Sequence, residues 1–212
     1  GRHSLRTASM LTEFRAGSSK ADLVILNGTA TAYEIKSDRD SLARLSSQIE
    51  NYRKVFSKIY VIAGEAHIDE LVSATPRDIG IMSLARWDRI HTVREAEDLS
   101  ASLCAITIFE SLRASEAKEV LSNLNVSISD APNTMIHAMM RKCVEQLSAV
   151  EVQASMVQTL KRTRNLASLQ SLVDNLPMSL HSAALSLQLR ATDRTRLVNT
   201  MQNSITEAMA WA

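Results

Sequence analysis

The sequence predicts an α/β protein: a mixed sheet flanked by helices, followed by a small all-helical domain. Three observations carry this. The stretch from Asp22 to Tyr52 reads as strand, tight turn, strand and helix, with Asn27-Gly28 as the hairpin signal. Further short apolar runs, Ile59–Ala63, Ile79–Met82 and an edge strand over Ile90–Val93, alternate with a helix from His67 to Ala74 that stops before Pro76. That order implies a mixed sheet with helices on both faces. From about Leu99 the glycines vanish and helical periodicity takes over, which places an α/β domain at 1–100 and a helical domain at 101–212.

Composition sets outer bounds. The chain has 212 residues, 45% of them hydrophobic and 4% aromatic, which suits a helix-rich globular core. A net charge of +1 gives no global attraction to nucleic acid, so such binding has to come from local basic patches. Cys104 and Cys143 are too few for a disulfide framework and fit a reduced, cytoplasmic setting. No apolar run approaches the roughly 20 residues of a membrane span, and the first residues lack the apolar core of a signal peptide. The chain begins at Gly1, so residues 1–9 read either as an appended remnant or as the start of a piece cut from a longer protein.

The elements follow in order. Ser9–Arg15 is a helical candidate, with Met10, Leu11 and Phe14 on one side and Glu13 beside them. Gly17-Ser18-Ser19 is a turn, and Lys20 opens the next strand. A loop of Asn27 to Thr29, with Gly28 in the left-handed region, pairs Leu26 with Ala30 and therefore Asp22 with Glu34. That register gathers Asp22, Glu34 and Lys36 on one face. Opposed carboxylates repel, and a divalent cation between them removes the repulsion. In the helix that follows, Leu42, Leu45, Ile49, Tyr52 and Phe56 form the apolar stripe, and Gln48 sits at its inward edge. Arg44, Arg53, Lys54 and Lys58 face outward as an ordinary solvated surface. His67 has no second histidine at ligand spacing and reads as structural.

Asp22 followed by Glu34-x-Lys36 resembles the PD-(D/E)xK nuclease superfamily, with its restriction-endonuclease-like fold. The run Tyr33-Glu34-Ile35-Lys36-Ser37-Asp38, then Asp40, Leu42, Arg44-Leu45, Gln48 and Tyr52, is similar to an uncharacterised bacterial family within it. The likeness spans about Leu11 to Arg113 and weakens through Arg164; Ala21 stands where the pattern has proline. The resemblance implies a metal-dependent nuclease, acting on DNA in preference to RNA, in bacterial defence. Asp22, Glu34 and the Ile35 carbonyl would hold Mg²⁺ or Mn²⁺, with Glu13 from the first element. Lys36 would orient the attacking water, Gln48 would position the phosphate, and Lys20 and Arg44 would contact nucleic acid.

In the helical half, Ile136, Met140, Cys143, Leu147 and Val150 form one seam and Val152, Met156 and Leu160 another. Leu166, Leu169, Val173 and Leu176 precede Pro177, and Leu197, Met201, Ile205 and Met209 close the chain. Lys161, Arg162 and Arg164 are a basic cluster that reads as a phosphate-tracking groove or as plain surface. Three rival readings stand beside the nuclease. One is a secreted, delivered toxin with the same chemistry. Another is a non-catalytic binding module in which the acids form a salt bridge with Lys36. The third is an interaction subunit that meets a protein partner or a second copy through the helical half.

Overall fold

A computed structural model describes residues 8–85, 89–127, 133–164, 169–186 and 190–202. It contains a six-stranded mixed sheet in which strand order follows chain order. β1 (Ser9–Ala16), β2 (Ser19–Asn27) and β3 (Thr29–Lys36) are antiparallel neighbours; β4 (Lys58–Gly64) and β5 (Gly80–Ala85) continue parallel to β3; β6 (Arg89–Arg94) returns antiparallel at the edge. α1 (Leu45–Arg53) connects β3 to β4, and α2 (Ile68–Ala74) connects β4 to β5.

The helix expected over Ser9–Arg15 is strand β1. Glu13 has a φ of +52°, so the strand's alternation breaks there, and both Leu11 and Phe14 turn to the core. Two core residues three apart then imitate helical spacing. The β2–β3 register is the expected one. Leu26 pairs with Ala30, Asn27 pairs with Thr29, and Gly28 sits alone at the tip with φ +76°, a conformation that glycine enters without a Cβ penalty.

The main core takes alternate residues from a single sheet face, among them Val24, Leu26, Ala30, Ala32, Ile59, Val61, Ala63 and Ile81. Leu45, Ile49 and Tyr52 of α1 and Leu71 of α2 enter that same core. The expectation of helices on both faces is thereby corrected for this unit. Successive parallel crossovers of one hand, running in one direction across a sheet, lay their helices on one side. On the other face Ile35, Leu84 and Ile90 stay 42–54% exposed.

The unit extends to Arg164, not to residue 100. α3 (Ala105–Glu110), α4 (Ala114–Asn123) and α6 (Ala149–Thr163) bury Ile108, Val120, Val152, Met156, Val157 and Leu160 in the sheet's own core. α5 (Asn133–Val144) packs through Met140 and Val144 with Phe109 and Leu121, while Val150, expected in that seam, is 51% exposed on α6. The change of composition near Leu99 marks the end of the strands, not of the core. Gln153, 5% exposed, fastens α6 to the sheet's base by donating to the Val55 carbonyl at 2.7 Å and accepting from Ser57 Oγ at 2.5 Å.

From Asn165 a second unit begins. Its α7 (Gln170–Asp174), α8 (Met178–Ser186) and α9 (Ala191–Gln202) surround a small core of Leu169, Leu172, Leu176 and Ala184. Leu166, Ile205 and Met209 lie outside the described residues. Among the described residues no helix is long and apolar enough to cross a membrane.

Gly80 leaves no room for a side chain. Tyr60 stacks on Tyr33 with ring centroids 5.5 Å apart, and its ring lies against Gly80. A Cβ at Gly80 would stand 2.3 Å from Tyr60 Cδ1 and 2.9 Å from the Ala96 backbone nitrogen. Gly80→Ala is expected to cost about 1–3 kcal/mol as overpacking. Urea unfolding measures it, and an unchanged midpoint would mean that the ring yields freely.

Candidate functional site

The site is a buried polar cluster at the ends of β2, β3 and α1. Glu34 and Lys36 alternate with outward-facing residues on β3, so both side chains point beneath α1, where they are 2% and 7% exposed. Lys36 Nζ donates to Glu34 Oε1 at 2.7 Å and to Gln48 Oε1 at 3.1 Å. Gln48 Nε2 donates back to Glu34 Oε1 at 2.6 Å. Tyr52 lies one helical turn beyond Gln48, and its hydroxyl is 2.7 Å from Glu34 Oε2 and 2.6 Å from the Lys20 carbonyl. One hydroxyl proton is shared between those two acceptors. Burial, and then the carboxylate of Glu34, push the Tyr52 hydroxyl's pKa well above its ordinary value.

Asp22 has a different task. The β2–β3 pairing ends at Leu23 and Tyr33, and the next inward-facing backbone donor on β3, Ile35 N–H, goes to Asp22 Oδ2 at 2.7 Å. The carboxylate thus substitutes for a missing ladder acceptor. Desolvation raises the Asp22 pKa; the Ile35 N–H opposes this, Glu34 and Glu13 add to it, and Lys36 offsets it. The rest of the motif shapes the loop into α1. Asp40 Oδ2 accepts from Ser37 N at 2.7 Å and Ser37 Oγ at 2.8 Å, which holds its pKa below the ordinary aspartate value.

Glu34, Lys36 and Gln48 are therefore joined by hydrogen bonds, and Asp22 bonds the neighbouring Ile35 N–H. Glu13 does not enter the cluster: its side chain is 67% exposed, 3.9 Å from Lys20 Nζ. Ile35 contributes its N–H, and its side chain is 48% exposed. Arg44 is exposed at the start of α1, one turn before Gln48. Arg162 and Arg164 are matched by acids of α4: Arg162 pairs with Glu119, and Arg164 Nε and Nη2 each bond Glu116 at 2.8 Å. Tyr52 was missed as a member of the cluster. Its signal was a tyrosine inside an apolar helix stripe, since a buried hydroxyl has to find a partner. Among the described residues no group of three or more His, Cys, Asp or Glu side chains is arranged to hold a metal ion. Glu34 in particular is engaged by three protein donors.

The model of the family described as bacteriophage P4 protein cII matches residues 1–187. The chain belongs to the bacteriophage P4 cII family. Protein cII of Enterobacteria phage P4 is 29% identical over 138 residues, covering 62% of this chain and 48% of that protein. The chain thus spans about half the length of the curated relative it matches. No solved structure matches it. The cII match takes in the whole motif from Asp22 to Tyr52 and corrects both the assignment to the PD-(D/E)xK nucleases and the nuclease and toxin activities drawn from it. The residues quoted for that likeness are the ones that build and hold a buried Glu34–Lys36 pair, a demand that is not peculiar to nucleases.

Proposed function

We propose that this cII-family chain is a phage regulatory protein that works by binding nucleic acid at the Lys36–Gln48 end of the sheet. The observation that carries the reading is the placement of basic residues around the cluster. Arg44 is exposed one turn before Gln48 on α1, and the Lys20 carbonyl accepts from the Tyr52 hydroxyl. The segments that build the site thus carry two exposed basic residues, Arg44 and Lys20, the latter with Glu13 3.9 Å from its ammonium, while the buried ammonium of Lys36 is fixed by Glu34 and Gln48. Phosphate contacts of this kind position a nucleic-acid backbone without reading its sequence.

A divalent cation has a place in this reading only together with phosphate. Mg²⁺ is commonly held by one or two carboxylates plus phosphate oxygens, not by an all-protein cage. Asp22 supplies such a carboxylate at the half-buried rim.

Fluorescence anisotropy with labelled duplex DNA and with RNA of the same sequence tests the proposal. Arg44→Ala and Lys20→Ala should each weaken binding about equally across sequences and lower the salt slope by about 1. Asp22→Asn should remove any gain that Mg²⁺ gives. Binding indifferent to both basic residues would rule the site out.

A further inference from the structure

α1 has a second working flank. Ser46, Glu50 and Arg53 recur on it at helical spacing, turned away from Gln48. With Leu42, Leu45, Ile49 and the end of α2 they line a cleft of about 330 Å³, closed on the α2 side by Ala74, Thr75 and Pro76. That volume is at the lower end of small-ligand sites. The floor is apolar and firm, since Leu45 and Ile49 are each 3% exposed.

The charges at its mouth are unequal. Only Glu50 and Arg53 among the lining residues ionise. Both terminal nitrogens of Arg53 are spent on Asp78, at 2.6 Å each. Glu50 is exposed and has no ion-pair partner among the described residues. A cleft with an aliphatic floor and, at its rim, a carboxylate without an ion-pair partner among the described residues is complementary to an alkyl chain that ends in a cation.

We propose that this cleft binds an alkylammonium group, its chain laid on Leu45 and Ile49 and its charge beside Glu50. A free aliphatic amine and a lysine side chain share that chemistry. Titration calorimetry at neutral pH with n-hexylamine, 1-hexanol, hexanoate and N-acetyl-lysine methylamide tests the site and separates the sources. Hexylamine should bind at least tenfold tighter than hexanol, and hexanoate not at all. Glu50→Gln should erase the tenfold preference, and Ser46→Trp should block the cleft to every probe. Both substitutions are at exposed positions, and unfolding curves confirm that each variant folds. Tighter binding of the lysine compound assigns the source to a protein side chain; tighter binding of hexylamine assigns it to a free amine; both support the site. Equal binding of the three hexyl probes, or binding unchanged in Ser46→Trp, overturns it.

Discussion

Lys36→Met should destabilise the sheet unit by about 3–5 kcal/mol, the cost of leaving a buried carboxylate without its cation. Glu34 is 2% exposed and would keep only the neutral donors Gln48 and Tyr52. The methionine fills most of the lysine's volume, so a cavity contributes little. Pairing Lys36→Met with Glu34→Gln should restore most of the loss, because a neutral amide needs no cation. Urea unfolding of the two single variants and the double variant measures this. Equal loss in Lys36→Met and in the double variant would show that shape, not charge, is what Lys36 supplies.

Arg164→Met should cost a similar amount, about 3–5 kcal/mol at neutral pH. Glu116 is 4% exposed and accepts two bonds from Arg164 and one from the Arg113 N–H at 2.9 Å. The Arg164 guanidinium also lies 5.4 Å from the Phe14 ring centroid, so the loss includes packing onto β1. Burial opposes ionisation of Glu116, but Arg164 and the Arg113 N–H outweigh it and hold its pKa below the ordinary glutamate value of 4.5. A depressed folded-state pKa stabilises fully above the unfolded value and is lost as pH falls through the folded one. The gap between wild type and Arg164→Met should therefore be widest at neutral pH and narrow below pH 4.5. A gap independent of pH would assign the whole effect to packing on Phe14.

The hairpin was legible because its register follows from a single local feature. Gly28 in the left-handed region goes with the pairing of Leu26 with Ala30, although the ladder stops at Leu23 and Tyr33, before the expected pair of Asp22 and Glu34. Gln48 was legible from its angle on α1. β1 was not, because the break at Glu13 converts a strand's alternation into a spacing of three, and no sequence signal marks that break. The unit boundary was hidden for another reason. Helical periodicity shows that Val152, Met156 and Leu160 share a face, but not that α6 is pressed to β2 and β3, more than a hundred positions earlier. The reading of this polar stretch as a nuclease centre is corrected by the cII family. Asp, Glu and Lys at those spacings specify who meets whom; what they do depends on which lone pairs stay open, and Glu34's are largely taken.

The sequential strand order has a consequence for how the molecule comes into being. Each strand's partner is the strand just before it, so as the chain is synthesised the sheet can grow by accretion at one edge and holds all its pairings by Arg94. Such neighbour-to-neighbour closure keeps loop entropy small. The exception is α6, whose Gln153 must return across 98 residues to Val55. Until that helix arrives, the core that α1 and α2 already cover still lacks Val152, Met156, Val157 and Leu160, and the stretch between Arg94 and Ala149 sets how long the chain waits for them.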